Sequence, residues 1–251
     1  MSTDTVMATE RETSAQQPAS EVHPPFSFVV PCFNEERNLA GTVAEVHEAA
    51  RCAGLEGYEI VLVDDGSRDG TGAEIARLAE TNSAIKPVTN PRNLGLGGAY
   101  KAGLARASGV HVMMVPGDNA HPAHGITPII AAAGEADIVI PYVTNPEVRS
   151  LKRRFASRGF VWLMNSLFGL KVPYYNGLVV HRLDLLRQIE LETDSFAYQA
   201  EAIVKLLKRG ARYTTVGVEI STRDHGGTKA FRMGNVISVL RALWDLKRRV
   251  G

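Results

Sequence analysis

An α/β fold built on a mostly parallel, Rossmann-like sheet flanked by helices is what this 251-residue sequence predicts. Three observations predict it. Strand-like and helix-like segments alternate from Phe26 to Tyr142, the pattern of right-handed crossovers in a parallel sheet. The apolar run Val61-Leu62-Val63 stops at Asp64-Asp65-Gly66-Ser67, which puts two carboxylates at the carboxyl end of a buried strand, where open α/β sheets bind ligands. A second strand, Val110 to Val115, ends the same way at Pro116-Gly117-Asp118-Asn119. Two strands releasing carboxylates at one edge describe a nucleotide and metal site. The competing reading makes Asp64 or Asp65 a turn opener and a helix cap.

The elements follow in order. The first 25 residues are polar, rich in Ser, Thr, Gln and Pro, and lack an apolar h-region, so they read as a disordered tail. Phe26 to Val30 is a short strand ending at Pro31, and Asn34-Glu35-Glu36 opens an amphipathic helix to about Ala53. Tyr58 to Val63 is the next strand, with a helix from Thr71 to Glu80. Ile85 to Thr89 is a weaker strand, and Leu96 to Ala107 a helix of small residues. After the strand Val110 to Val115 come a helix over Ile126 to Ala133 and a strand over Ala136 to Tyr142. The alternation then loosens. A long basic and apolar helix spans Ser150 to Phe168, a strand lies around Gly177 to His181, and a helix runs from Ala197 to Arg209. The strand Tyr213 to Ile220 and a polar loop precede the C-terminal helix. The division is a tail over 1–25, one catalytic-type domain over 26–233, and an amphipathic helix over 234–251.

Composition narrows the function. A formal net charge of +1 supplies no global field for nucleic acid. Two cysteines, Cys32 and Cys52, suggest neither a disulfide framework nor a zinc site, and fit a reducing, cytoplasmic setting. No run of about 18 apolar residues spans a membrane. The helix from Leu151 to Phe168 nevertheless mixes Lys152-Arg153-Arg154 with Phe155 and Trp162, which suits a peripheral position on an anionic inner membrane face. Val236, Val239, Leu240, Leu243 and Trp244 form a second stripe near the C-terminus. The alternative for both helices is burial in the core or in a homo-oligomer interface.

Two further segments carry polar or glycine-rich turns. Asn34 and Glu35 follow a strand end and are placed to touch a base or ribose, or else to cap the next helix and complement its dipole. Asn93-Leu94-Gly95-Leu96-Gly97-Gly98 feeds a helix, so its amides are candidates for a pyrophosphate cradle. Its glycine spacing is not the dinucleotide fingerprint. Close packing of the helix explains the same glycines.

Pro31-Cys32-Phe33-Asn34-Glu35-Glu36, Val63-Asp64-Asp65-Gly66-Ser67-Arg68-Asp69-Gly70-Thr71 and Asn93 to Ala99 together resemble the first three blocks of family 2 glycosyltransferases. Within these, the dolichyl- or polyprenyl-phosphate mannosyl- and glucosyltransferases are most similar, over about Phe26 to Phe231. The resemblance implies a GT-A fold, a nucleoside diphosphate sugar donor, a divalent cation and inversion at the anomeric carbon. It implies that Pro31, Asn34 and Glu35 frame the nucleoside, and that Asp65, with Asp64, reads the base. Gly95 and Gly117 belong to the same donor site. Asp118, assisted by Asn119, would ligate Mg²⁺ or Mn²⁺ on the diphosphate. Gln199-Ala200-Glu201 resembles the family's Gln-x-Glu, and Arg223-Asp224-His225-Gly226-Gly227-Thr228-Lys229 its phosphate loop. Arg223 and Lys229 would there neutralise the leaving group. His121 is a candidate for a donor or acceptor contact, and Asp224 and Glu201 are the candidate bases.

Two departures bear on chemistry. The first metal carboxylate of the family's Asp-x-Asp is Pro116 here, leaving Asp118 and the substrate phosphates to hold the cation. Where the lipid-phosphate enzymes carry Asp-x-Thr-Ser-Gly-Phe-Arg, this chain has Pro173-Tyr174-Tyr175-Asn176-Gly177-Leu178-Val179, so an acceptor-binding Arg is missing. The expected activity is hexose transfer from a nucleoside diphosphate sugar to a polyprenyl phosphate, with GDP-mannose favoured by the resemblance and UDP-sugars as the alternative donors. Transfer to a soluble hydroxyl acceptor, or a non-catalytic nucleotide-sugar binding subunit, are the competing readings.

Overall fold

The computed structural model describes residues 25–220 and 233–250. Its strands are β1 (Phe26–Cys32), β2 (Glu59–Asp64), β3 (Ile85–Thr89), β4 (His111–Met114), β5 (Ile138–Val143), β6 (Val180–Arg182) and β7 (Tyr213–Val218). The helices are α1 (Leu39–Cys52), α2 (Thr71–Thr81), α3 (Gly95–Arg106), α4 (Ala123–Ala131), α5 (Leu151–Phe168), α6 (Leu183–Leu186), α7 (Tyr198–Lys208) and α8 (Met233–Val250). All seven strands form one sheet in the order β3-β2-β1-β4-β6-β5-β7. The expected alternation is present, and the sheet is mostly parallel: β1 pairs in parallel with both β2 and β4, and β2 with β3.

β6 is the exception. It runs antiparallel to both β4 and β5, so β5 shares the direction of β4. The carboxyl ends of β1, β2, β4 and β5 therefore lie on one edge, together with the segment that leads into β6. This strand is shorter than the predicted Gly177 to His181, because residues 173–179 turn rather than pair. The helix expected from Asn34 starts instead at Leu39. Asn34 has φ +56°, and the Glu35 carbonyl accepts from the N–H groups of Asn38 and Leu39 at 2.9 and 3.0 Å, closing a turn before the helix. A left-handed residue cannot sit inside an α-helix, so the boundary moves. α4 begins at Ala123, ahead of the predicted Ile126, and α6 has no counterpart in the sequence reading.

β1 and β2 are buried along their whole length, as expected for central parallel strands covered on both faces. One face packs on Val43, Val46 and Ile126 of α1 and α4; the other packs on Tyr100, Met164, Phe168 and Ile203 of α3, α5 and α7. Leu243 and Leu246 of α8 join the second cluster and Val239 packs partly buried against it, while Trp244 stays 67% exposed. A Cβ on Gly103 would collide with Val29 Cγ1, which shows how closely α3 sits on β1. At the opposite edge of β1 and β2, the buried Glu59 carboxylate accepts from Ser27 Oγ at 2.6 Å, from Ser108 Oγ at 3.0 Å and from Ser108 N–H, and pairs with Lys86 at 2.5 Å. Burial alone would raise its pKa; hydrogen bonds from Lys86, Ser27 and Ser108 hold it below the usual carboxylate value.

His181 on β6 is fully buried, and neither ring nitrogen has a hydrogen-bond partner among the described residues. Burial lowers its pKa to about 3. The folded state accepts only the neutral ring, whereas the unfolded chain takes up a proton below its ordinary value near 6.5. Stability is therefore fully present above about pH 6.5 and falls toward pH 3, by up to about 1.4 kcal/mol per pH unit. Urea unfolding at pH 7 and pH 5 should show the wild type losing roughly 2 kcal/mol and His181→Leu losing markedly less. Equal losses in both proteins would remove His181 as the cause.

Candidate donor site at the carboxyl edge of the sheet

Three loops meet where β1, β2 and β4 end, and their own hydrogen bonds weave them together. Asn34 N–H donates to Ser67 Oγ at 3.0 Å, and Asn34 Oδ1 accepts from Arg68 N–H at 2.8 Å. Glu35 N–H donates to Thr71 Oγ1 at 2.9 Å, and Gly70 N–H donates to Glu36 Oε2 at 3.1 Å. Asn34 thus ties the loop after β1 to the loop after β2, a different task from capping α1. The buried Glu35 carboxylate receives Asn38 Nδ2 at 2.7 Å.

Asp64 and Asp65 point to different tasks. Asp64 Oδ1 accepts from Ser67 N–H at 2.9 Å and shapes the Asp-Gly-Ser turn. Asp65 is buried, and its carboxylate accepts three hydrogen bonds: Asn90 Nδ2 at 2.8 Å and Leu94 N–H at 2.9 Å on Oδ1, and Gly95 N–H at 3.0 Å on Oδ2. It anchors the entry to α3. These three bonds occupy both sites on Oδ1 and one on Oδ2.

The glycine-rich entry to α3 was a candidate pyrophosphate cradle, and the structure assigns it to packing. Gly95 N–H is engaged by Asp65 and also approaches Asn93 Oδ1 at 3.2 Å, while Gly97 N–H donates to the Asp194 carbonyl at 2.9 Å. A Cβ on Gly97 would stand 2.6 Å from the Thr193 carbonyl oxygen, and one on Gly95, where φ is +82°, 2.9 Å from that of Asp194. The segment 193–194 roofs this turn, and the N–H groups of Leu94, Gly95 and Gly97 are already used. Its tether is Glu201: the carboxylate accepts Glu192 N–H and Thr193 N–H at 3.1 Å each and pairs with Lys205 at 2.7 Å. Glu201 is a fixed structural anion and a poor candidate base. The neighbouring Gln199 differs: its side chain is buried, and Nε2 has no partner among the described residues.

Beyond β4, Gly117 N–H donates to the Pro31 carbonyl at 3.2 Å, and a Cβ on Gly117 would lie 2.9 Å from Cys32 Sγ. The absence of a side chain lets this turn rest on β1 and brings Asp118 out beside the β1 loop. Burial, then the charges of Glu35 and Asp64, push the Cys32 thiol well up, so it stays protonated. Asp118 Oδ1 accepts from Ala120 N–H at 3.3 Å, a long bond. Asn119, expected to assist with the cation, has φ +51°; its N–H donates to Thr42 Oγ1 at 3.0 Å, and its amide lies where a Cβ on Gly41 of α1 would be. Its backbone N–H braces the turn against α1.

Among the described residues no group of three or more His, Cys, Asp or Glu side chains converges to hold a metal ion by itself. One partly exposed carboxylate at a strand end suits a Mg²⁺ or Mn²⁺ whose other ligands are substrate phosphates and water, and does not suit an all-protein cage. Arg223, Asp224 and Lys229, like the tail over 1–24, lie outside the described residues.

The family model described as glycosyl transferase family 2 matches residues 27–183. The undecaprenyl-phosphate 4-deoxy-4-formamido-L-arabinose transferase of Pseudomonas paraeruginosa is 29% identical over 220 residues, covering 84% of this chain and 62% of that protein. The dodecaprenyl-phosphate galacturonate synthase of Rhizobium johnstonii is 27% identical, covering 81% and 61%. The chain thus spans about three-fifths of the length of these curated relatives. Among solved structures, the glucosyl-3-phosphoglycerate synthase of Mycobacterium tuberculosis in complex with UDP superposes with a TM-score of 0.62 at 18% identity, covering 90% of this chain and 80% of that one. A mannosyltransferase from Pyrobaculum calidifontis in complex with GDP-Man and Mn²⁺ gives a TM-score of 0.62 at 19% identity, covering 90% and 65%. These two likenesses speak for the fold, which is GT-A.

Proposed function

This chain belongs to glycosyl transferase family 2, and from that membership we propose that it moves a hexose from a nucleoside diphosphate sugar to a polyprenyl phosphate by direct, inverting displacement. The observation that carries the reading is that Asp64 and Asp65 at the end of β2 and Asp118 beyond β4 stand on one edge of the sheet, with Asn34 and Glu35 tying the loop after β1 to the loop after β2. GDP-mannose is the favoured donor and a UDP-sugar the alternative.

In the step itself, an acceptor phosphate oxygen attacks the anomeric carbon, and the bond from that carbon to the diphosphate oxygen breaks with its electron pair leaving on the diphosphate. A phosphate acceptor is already an anion and needs no general base. That fits a site in which Glu201 is committed to the backbone of residues 192–193 and to Lys205. A bound Mg²⁺ or Mn²⁺ supplies positive charge to the departing diphosphate. Asp118 would hold it, Gln199 Nε2 would offer an unspent donor, and Arg223 and Lys229 would add positive charge.

Support for a lipid acceptor comes from the names of the relatives and from the surface of α5. Leu151, Phe155 and Trp162 are 65%, 69% and 70% exposed, and their spacing puts them on one helix face with Arg158 nearby. No described helix is long and apolar enough to cross a membrane. An interfacial helix of this kind would lie along the cytoplasmic face of an anionic bilayer.

The test is transfer of labelled sugar from GDP-mannose or a UDP-sugar in the presence of a polyprenyl phosphate. Label should pass into the organic phase only when the lipid phosphate is present, and the protein should float with anionic liposomes less when Phe155 and Trp162 become Ala. Label that reaches only water-soluble products would reverse the acceptor assignment, and no transfer to any acceptor would favour a binding subunit.

A further inference from the structure

The acceptor-side block Pro173 to Val179 lacks the arginine expected for a phosphate, yet the fold brings another one to it. Arg149 follows a short 3₁₀ turn over Pro146–Val148 at the carboxyl end of β5 and precedes the first turn of α5. Because β5 shares the direction of β4, this is the edge that carries Asp118. Arg149 Nη1 donates to Tyr174 Oη at 3.2 Å, and its guanidinium carbon stands 5.9 Å from the centre of the Tyr174 ring. Tyr174 belongs to the departing block, and Gly177 in the same block wedges against β5, where a Cβ would meet Pro141 Cγ at 3.0 Å. Arg149 Nε is buried with no hydrogen-bond partner among the described residues.

An arginine held in place on an aromatic ring while one buried N–H stays unmatched is a group prepared for an anion. A buried donor without an acceptor costs free energy, and a charged oxygen is the partner that repays it best. We propose that Arg149, positioned by Tyr174, binds the phosphate of the acceptor, replacing the arginine that this chain lacks at Val179. This rests on the reading of the protein as a transferase to a phosphate-bearing acceptor. The phosphate recognised is a monoester; in a polyprenyl phosphate it would sit beside the exposed face of α5, whose first residue follows Arg149 by two positions.

Two soluble phosphomonoesters separate the sources: farnesyl phosphate, with farnesol as its neutral control, and 3-phosphoglycerate. Calorimetric titration of the wild type, Arg149→Ala, Arg149→Lys and Tyr174→Phe with each probe is accompanied by titration with GDP and UDP. The expected result is that farnesyl phosphate binds the wild type more tightly than farnesol. Arg149→Ala should lose 10-fold or more of that affinity, Arg149→Lys part of it and Tyr174→Phe a smaller part, with nucleotide affinity and farnesol binding unchanged. Binding of 3-phosphoglycerate alone, lost in Arg149→Ala, would keep the assignment of Arg149 and overturn the lipid acceptor. Arg149→Ala binding a phosphate probe like the wild type would overturn the assignment. So would a wild type that binds neither probe, or an equal loss of nucleotide affinity, which would move Arg149 to the donor.

Discussion

Asp118→Ala should lower kcat by roughly 10²–10³-fold while leaving the fold intact. The carboxylate stands at the end of β4, its bond to Ala120 N–H is long, and the turn is braced without it by Gly117 on Pro31 and by Asn119 on Thr42. Its removal takes a charge from the site while both backbone braces of the turn remain, so Asp118→Ala should still unfold as a cooperative, folded protein. In the proposed site the cation would lose the carboxylate of Asp118. In thermal shift, nucleotide at about 100 times its dissociation constant adds roughly 2.7 kcal/mol to a protein that binds it. Wild-type stabilisation by GDP or UDP should rise when Mn²⁺ or Mg²⁺ is added, and that increment should vanish in Asp118→Ala. A variant that keeps both the increment and the rate would show that Asp118 does not hold the cation.

Asp65→Asn should be the more damaging change to the architecture. The Asp65 carboxylate accepts three hydrogen bonds on two oxygens. An amide has one oxygen, so at least one of Asn90, Leu94 and Gly95 must face an NH₂ group, and the buried donors lose a charged partner. The cost is about 2–3 kcal/mol, which for a chain of this size lowers Tm by roughly 5–10 °C. Nucleotide affinity should fall with it, because the entry to α3 is set by the same bonds. If Asp65 served only to read the base, the substitution would change preference between GDP and UDP with Tm unaltered. That outcome would contradict the anchoring role.

How much of this was legible depends on the range over which each feature is decided. The α/β class and the edge bearing Asp64, Asp65 and Asp118 follow from local patterns: an apolar strand interrupted by carboxylates needs no distant partner to be recognised. The reversal of β6 is decided by its neighbours β4 and β5, and a three-residue strand between loops carries no period that fixes its direction. The glycines from Gly95 to Gly98 were visible, but their reason, the carbonyls of Thr193 and Asp194, comes from the far half of the chain. Glu201 looked like a base because the sequence does not show what a carboxylate already holds. Arg149 offered no motif at all; only the approach of Tyr174 singles it out.

The roof over Gly97 has a consequence for building with this protein. A chain cut between α5 and α7 would seem to separate a nucleotide-handling module from an acceptor-handling one, yet the first piece would carry Gly97 with its N–H unmatched and a naked, flexible turn where Asp194 should rest. A piece ending before residue 193 should be destabilised by about 1–3 kcal/mol at this turn. Chimeras and split-protein sensors made from this fold must exchange residues 192–201 together with the turn at 93–98, as one inseparable part.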